Sequence, residues 1–260
     1  MNPWIQLSID YANQRSYLDD LFKVYPTIPD GIREIDEKLW DNIEKSFKKK
    51  NNKELIENLI KLNLFPIKDS YVAYLKRDKK ASNRNPKTIA RLSGRLYEMG
   101  LDAIYARCSE PKETNRQIGP LFRRWLSKKS LGVPYLKADK FLKTKENAVL
   151  DAGDTETMAF ARKHLNYKHN KGLDFIARFN DKYVIGEAKF LTDFGGHQNA
   201  QFNDAITTIK SKNVKAVKVA ILDGVLYIKG NNKMYRDITT KYKKENILSS
   251  LVLRDFLYQL

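Results

Sequence analysis

Apolar positions along this chain change their period near its middle, and that change divides the expected architecture. Over residues 1–80 they recur mainly at helical spacing. Ile32, Ile35, Leu39, Trp40, Ile43 and Phe47 form one stripe, opened by a capping acid at Asp30 and closed by the basic turn at 48–52. Leu55, Ile56, Leu59, Ile60 and Leu62 form a second stripe, stopped by Pro66. Such stripes predict scaffold or a dimerisation surface. The polar, basic run KRDKKASNRNP at 76–86 reads as a linker or as an exposed phosphate-contacting loop. A helix over 88–99 follows, with Arg91 and Arg95 one turn apart and Gly100 at its end. Those arginines meet either phosphate or acids of their own chain.

Beyond residue 148 the period alternates between 3.6 and 2. Residues 149–165 predict a helix that begins at Asp151 or Asp154. The segments 173–179 and 182–190 are rich in β-branched and aromatic residues on either side of Asn180-Asp181, the pattern of a β-hairpin. TDFGGHQNAQFNDA opens a polar helix that runs to about residue 212. A strand at 216–222, a turn at Asp223-Gly224, a returning strand at 225–229 and a closing helix over 245–258 complete the chain. Strand, helix and strand in series imply a crossover, so 183–190 and 216–222 are expected to run parallel. The fold class expected is α/β (α+β), a central mixed sheet flanked by helices. Its helical N-terminal region would occupy 1–80 and the core 81–260.

Charge changes the picture from fold to partner. Lys+Arg 48 against Asp+Glu 31 give a net charge of +17, which points to a polyanion. Residues 107–129 carry Arg116, Arg123 and Arg124 interleaved with Phe122 and Trp125. This mixture suits a DNA backbone, with Asn115 and Gln117 of a type that reaches base edges. The spacing of Phe122 and Trp125 also suits an amphipathic helix docked on a core, and both readings can hold at once. No run approaches the ~18 apolar residues of a membrane span, and no secretory signal opens the chain. A single cysteine, Cys108, and three histidines exclude an internal disulfide and a zinc site of the finger type, in keeping with a reducing cytoplasm.

The candidate chemistry lies on the hairpin. Alternation places Glu187 and Lys189 on one side of the second strand, and pairing brings Asp174, 13 residues earlier, beside Glu187. Two carboxylates and an ammonium suit Mg²⁺, which takes one or two carboxylates and fills its sphere with water and phosphate oxygens. The lysine would orient an attacking water or stabilise charge developing on a phosphate. Glu156 reads either as a favourable first-turn acid of its helix or as a further acid directed at this site.

Leu173-Asp174, twelve intervening residues and then Glu187-Ala188-Lys189, in the order helix, strand, strand, helix, strand, resemble the PD-(D/E)XK nucleases. Within that superfamily the pattern resembles the type II restriction endonucleases, with Leu173 standing where the family name has proline. The resemblance spans residues 150–230. It implies that Asp174 and Glu187 hold Mg²⁺ with the Ala188 carbonyl as a further ligand. Lys189 would position or activate the water, and cleavage would leave a 5′-phosphate and a 3′-hydroxyl. It implies one more acid from an upstream helix, where Glu156 fits better than Glu113. It also implies base reading after the second strand, by His197, Gln198, Asn199, Gln201 and Asn203, residues that equally suit helix capping and a solvated face. Double-stranded DNA, a homodimer and a companion DNA methyltransferase are the partners implied. A repair or recombination nuclease and a non-cleaving DNA-binding protein are the alternatives.

Overall fold

The helical pattern at the N-terminus is realised as α1 (Pro3–Ala12) and α2 (Tyr17–Val24). The computed structural model describes residues 1–26, 33–78, 80–111 and 118–260, so the expected cap at Asp30 lies outside the described residues. Next come α3 (Glu37–Lys48), α4 (Asn52–Lys61), α5 (Ser70–Arg77), α6 (Ala81–Arg84), α7 (Pro86–Met99) and α8 (Leu101–Cys108). Leu55, Ile56 and Leu59 from α4 pack with Ile89, Leu92 and Leu96 from α7 in one core. Burial pushes the Cys108 thiol in that core up to about 12, which leaves it inert.

Contacts group the chain into two compact units, Ile28–Glu113 and the remainder, Met1–Thr27 with Thr114–Leu260. The boundary expected after residue 80 falls inside the first of these, because the stripe of α7 completes the core that α4 begins. The run 76–86 is likewise no linker. It is the end of α5, α6 and the first residue of α7. Polar side chains among its described residues are used within the run: Asp78 accepts the Lys80 N–H and pairs with Arg84, and Asn85 donates to the Ala81 carbonyl.

The second unit continues with α9 (Ile118–Ser127), β1 (Tyr135–Leu136), α10 (Ala138–Lys143), β2 (Ala148–Leu150) and α11 (Asp154–Leu165). Then come β3 (Phe175–Phe179), β4 (Lys182–Leu191), α12 (Gly196–Ile209) and β5 (Val217–Gly224). After a 3₁₀ turn at Val225–Tyr227 the chain ends with α13 (Lys233–Thr239), β6 (Ile247–Leu248) and α14 (Leu253–Tyr258). The strands form a six-stranded sheet in sequence order. β2, β3 and β4 run antiparallel to their neighbours in turn, while β1 pairs parallel to β2 and the succession β4, β5, β6 is parallel.

Asn180 and Asp181 both take positive φ, 47° and 61°, which is the backbone of a tight two-residue hairpin turn. This turn fixes the register, from Phe179 opposite Lys182 to Phe175 opposite Gly186. Alternation then sorts the faces. Phe175, Ala177, Phe179, Val184 and Ala188 join one core with α1, α2 and α9, and Ile176 and Ile185 join another with Phe160, Ala161 and Leu165 of α11. Arg178 is buried between its carbonyl partners, Phe141 and Glu146, and stacks over the Phe141 ring.

Three expectations for the C-terminal half are corrected. Residues 149 and 150, inside the span read as helical, belong to a strand, while the helix itself begins at Asp154, one of the two starts expected. Asp223-Gly224 does not join two antiparallel strands; β5 runs through both residues, with Phe190 opposite Asp223 and Leu191 opposite Gly224. Asp223 is fully buried and accepts hydrogen bonds from Tyr25, Ser249 and Ser250, a network that holds the strand extended where a turn was expected. The chain turns only after Gly224, whose φ of 99° and close approach to the Leu191 carbonyl admit no side chain. Finally, Ile247 and Leu248 pair with Ala220 and Ile221 at the sheet edge, so the closing helix is confined to α14. Two apolar residues in a row carry no period, and the unsatisfied edge of β5 decides their state.

Candidate active site

The register places Asp174, one residue before β3, across from Glu187 on β4. The Asp174 Oδ2 accepts the Ala188 backbone N–H at 3.0 Å and the Lys189 ammonium at 3.1 Å. The same ammonium donates to Glu187 Oε1 at 2.7 Å. The Lys189 ammonium therefore joins the two carboxylates that were expected to converge with it. A strand residue directs its N–H and C=O to the same edge. The Ala188 carbonyl accordingly lies on the Asp174 side of β4.

Electrostatics distinguish the members of this trio. Glu187 is only 2% exposed, and desolvation, reinforced by the nearby Asp174 charge, raises its carboxyl above the ordinary glutamate value. Burial works against the Lys189 ammonium, but Asp174 and Glu187 outweigh it and the net shift is upward. Lys189 is thus a firmly protonated donor. Glu187 Oε2 is buried with no hydrogen-bond partner, a costly arrangement in a folded chain. Such an orphaned carboxylate oxygen fits a hard divalent cation, which takes oxygen donors of this kind. Among the described residues no group of three or more Asp, Glu, His and Cys side chains is arranged to hold a metal ion.

A model of the Tsp45I type II restriction enzyme family matches residues 2–260. The chain belongs to that family. No curated protein and no solved structure matches it. Membership in the Tsp45I family makes the chain a sequence-specific endonuclease, a hydrolase whose substrate is DNA. Among the described residues no helix is long and apolar enough to cross a membrane.

Other residues expected to serve this candidate site lie elsewhere. Glu156 caps its own helix: its Oε2 accepts the Gly153 N–H at 2.8 Å, and no hydrogen bond or ion pair joins it to the trio. Arg123 reaches Asp154 at 2.6 Å, while Arg124 is exposed on α9 beside the buried Phe122. Arg91 and Arg95 meet acids of their own chain, Asp69 at 2.7 Å and Glu98 at 2.8 Å. Asn115, Arg116, Gln117 and Glu113 lie outside the described residues.

On α12 the polar residues divide. Gln198 is buried and donates to the Thr192 hydroxyl, and Asn199 donates to the Phe194 and Gly195 carbonyls, so both close the turn into the helix. His197 and Asn203 are exposed, and the half-buried Gln201 contacts the His197 ring. Two residues that the sequence did not single out stand at the site. Lys171 Nζ lies 2.9 Å from Glu187 Oε1, and Asp204 on α12 lies on the other side of that ammonium. Lys171 sits three residues before Asp174, a hint available in the sequence, but no spacing rule brings Asp204 to it.

Proposed function

We propose that this chain hydrolyses phosphodiester bonds of double-stranded DNA with Mg²⁺ held by Asp174, Glu187 and the Ala188 carbonyl. The observation that carries this reading is the meeting of Asp174, Glu187 and Lys189 around a buried, unpartnered Glu187 oxygen. Bound there, the metal would supply Lewis-acid neutralisation of phosphate charge and polarisation of a water. Lys189, held by hydrogen bonds to its two acids, positions or activates the attacking water and stabilises charge developing on the phosphate. Asp174 fixes that lysine and the Ala188 amide together, so a one-residue slip of the hairpin would dissolve the site. The water gives up a proton to solvent as its oxygen attacks phosphorus, the bond to the 3′-oxygen breaks, that oxygen takes up a proton from solvent, and the products are a 5′-phosphate and a 3′-hydroxyl.

The net charge of +17 supports a phosphate-rich partner, with exposed Arg124, His197 and Asn203 as contacts available on this unit. A homodimer, each subunit cutting one strand of a symmetric site, and a companion methyltransferase complete the proposal. Plasmid of known sequence incubated with the protein and Mg²⁺ tests it. Discrete fragments with ligatable 5′-phosphate ends are expected. A smear, preference for branched DNA, or binding without cutting would replace the reading with a repair nuclease or a non-cleaving binder.

A further inference from the structure

Lys171 occupies the loop that leads into β3, and its ammonium is shared between two acids from different elements. Nζ is 2.9 Å from Glu187 Oε1 and 3.1 Å from Asp204 Oδ2. The nitrogen is buried, and both contacts are close ion pairs rather than well-aligned hydrogen bonds. Lys189 behaves differently, donating well-aligned bonds to both of its acids.

The backbone beneath Lys171 is held rigidly. Thr157 on α11 accepts the Leu173 N–H and donates to the Leu173 carbonyl. Gly172 lies so close to the start of α11 that a Cβ would stand 2.6 Å from the Asp154 carbonyl oxygen. A fixed backbone carrying a long flexible stem, with its head misaligned between two anions, lets the charge move while the chain stays still.

The local charge gives that freedom a purpose. Without metal, Asp174 and Glu187 are balanced by Lys189 and Lys171, so the buried glutamate is neutralised. A divalent cation at Glu187 would stand within a few ångströms of the Lys171 ammonium and repel it in a site of reduced dielectric. Asp204, already in reach and on a surface-exposed part of α12, offers the displaced ammonium a second anion.

We infer that Lys171 occupies Glu187 in the metal-free protein and is handed to Asp204 when a divalent cation binds. Lys171 is then a positioning residue that sets the metal affinity, and Asp204 is its holding acid. The inference rests on the reading of Asp174 and Glu187 as metal ligands.

Calorimetric titration of the full chain with Mg²⁺ alone, and with Ca²⁺ alone, without DNA, tests it. Lys171→Gln removes the competing ammonium and is expected to tighten divalent binding by about threefold or more, the size of a modest ion pair. Lys171→Arg keeps the charge and is expected to bind as the wild type does. Lys171→Met, which keeps the aliphatic stem, carries the same expectation as K171Q and guards against a folding defect in it. Asp204→Asn is expected to weaken binding in the wild-type background and to lose most of that effect beside K171Q, because no ammonium is left to hold. Equal or weaker binding by K171Q and K171M overturns the hand-over alone, as does a D204N effect of the same size in both backgrounds. Absence of divalent binding in every one of these proteins, wild type included, overturns the metal-site reading and the hand-over with it.

Discussion

Asp174 and Lys189 meet across the β3–β4 pair, with the carboxylate Oδ2 3.1 Å from the ammonium nitrogen and 3.0 Å from the intervening Ala188 amide. One oxygen therefore fixes both the charge and the strand that presents it. Replacement of Lys189 by Ala removes the charge while Ala188 still holds Asp174. Cleavage of plasmid should fall by about a hundredfold to a thousandfold or more. Binding to the same DNA without metal, read by gel shift, should stay within a fewfold of wild type. Cleavage at the wild-type rate would remove Lys189 from the chemistry.

Glu156 separates capping from catalysis. Its Oε2 accepts the Gly153 N–H at the first turn of α11. Glu156→Gln keeps an acceptor there, so both stability and cleavage should stay near wild type. Glu156→Ala should lower stability by about 1 kcal/mol in urea unfolding, the worth of a helix cap, with cleavage retained. A hundredfold loss of cleavage in the glutamine variant would instead place Glu156 among the acids of the site.

Asp223 predicts a pH dependence of stability. Burial holds its carboxyl above the ordinary aspartate value of 3.8 despite the hydrogen bonds from Ser249, Ser250 and Tyr25. The groups facing it are Tyr17 of α2, Tyr25 just after that helix, Tyr227 after β5, and the two serines after β6, none of them a cation. Between the unfolded value and the raised folded one, the native state binds more protons than the unfolded chain. Stability from this group therefore falls as pH rises through that window. Urea midpoints of wild type should decline relative to those of Asp223→Asn over the window, and a constant difference between the two would contradict the account. Asp223→Ala, which strands buried donors, should cost about 3 kcal/mol.

Gly172→Ala probes the backbone that delivers Asp174. The added carbon would meet the Asp154 carbonyl oxygen at 2.6 Å, and a main-chain atom cannot rotate away. The loop must shift, at a cost of about 1–3 kcal/mol. Because Asp174 follows two residues later, the cleavage rate should fall together with the urea midpoint. A variant with wild-type values for both would show that the loop yields freely.

Two features of the sequence were sufficient for the hairpin that carries the candidate site. Asn180-Asp181 permits the positive φ values of a two-residue turn, and the β-branched runs on each side supply the strands. Once the turn sets the register, Asp174 must fall across from Glu187, and the pleat puts Lys189 beside it. These are short-range rules, and the sequence by itself determined this part of the candidate site, the parallel crossover through α12, the apolar stripe of α4 and the helix α7 ending at Gly100. Tertiary structure decided whatever depended on partners far along the chain. Asp223 reads locally as a turn residue, but Tyr25, 198 positions away, and the serines after β6 make it a buried acceptor within a strand. Ile247 and Leu248 have no period of their own and take their state from the open edge of β5. Asp204 comes to Lys171 only because α12 packs back across β4 and β5. Pairing and period are written in neighbouring residues. The neutralisation of a buried charge is not, because it is met by whichever donor the completed fold brings within hydrogen-bond reach.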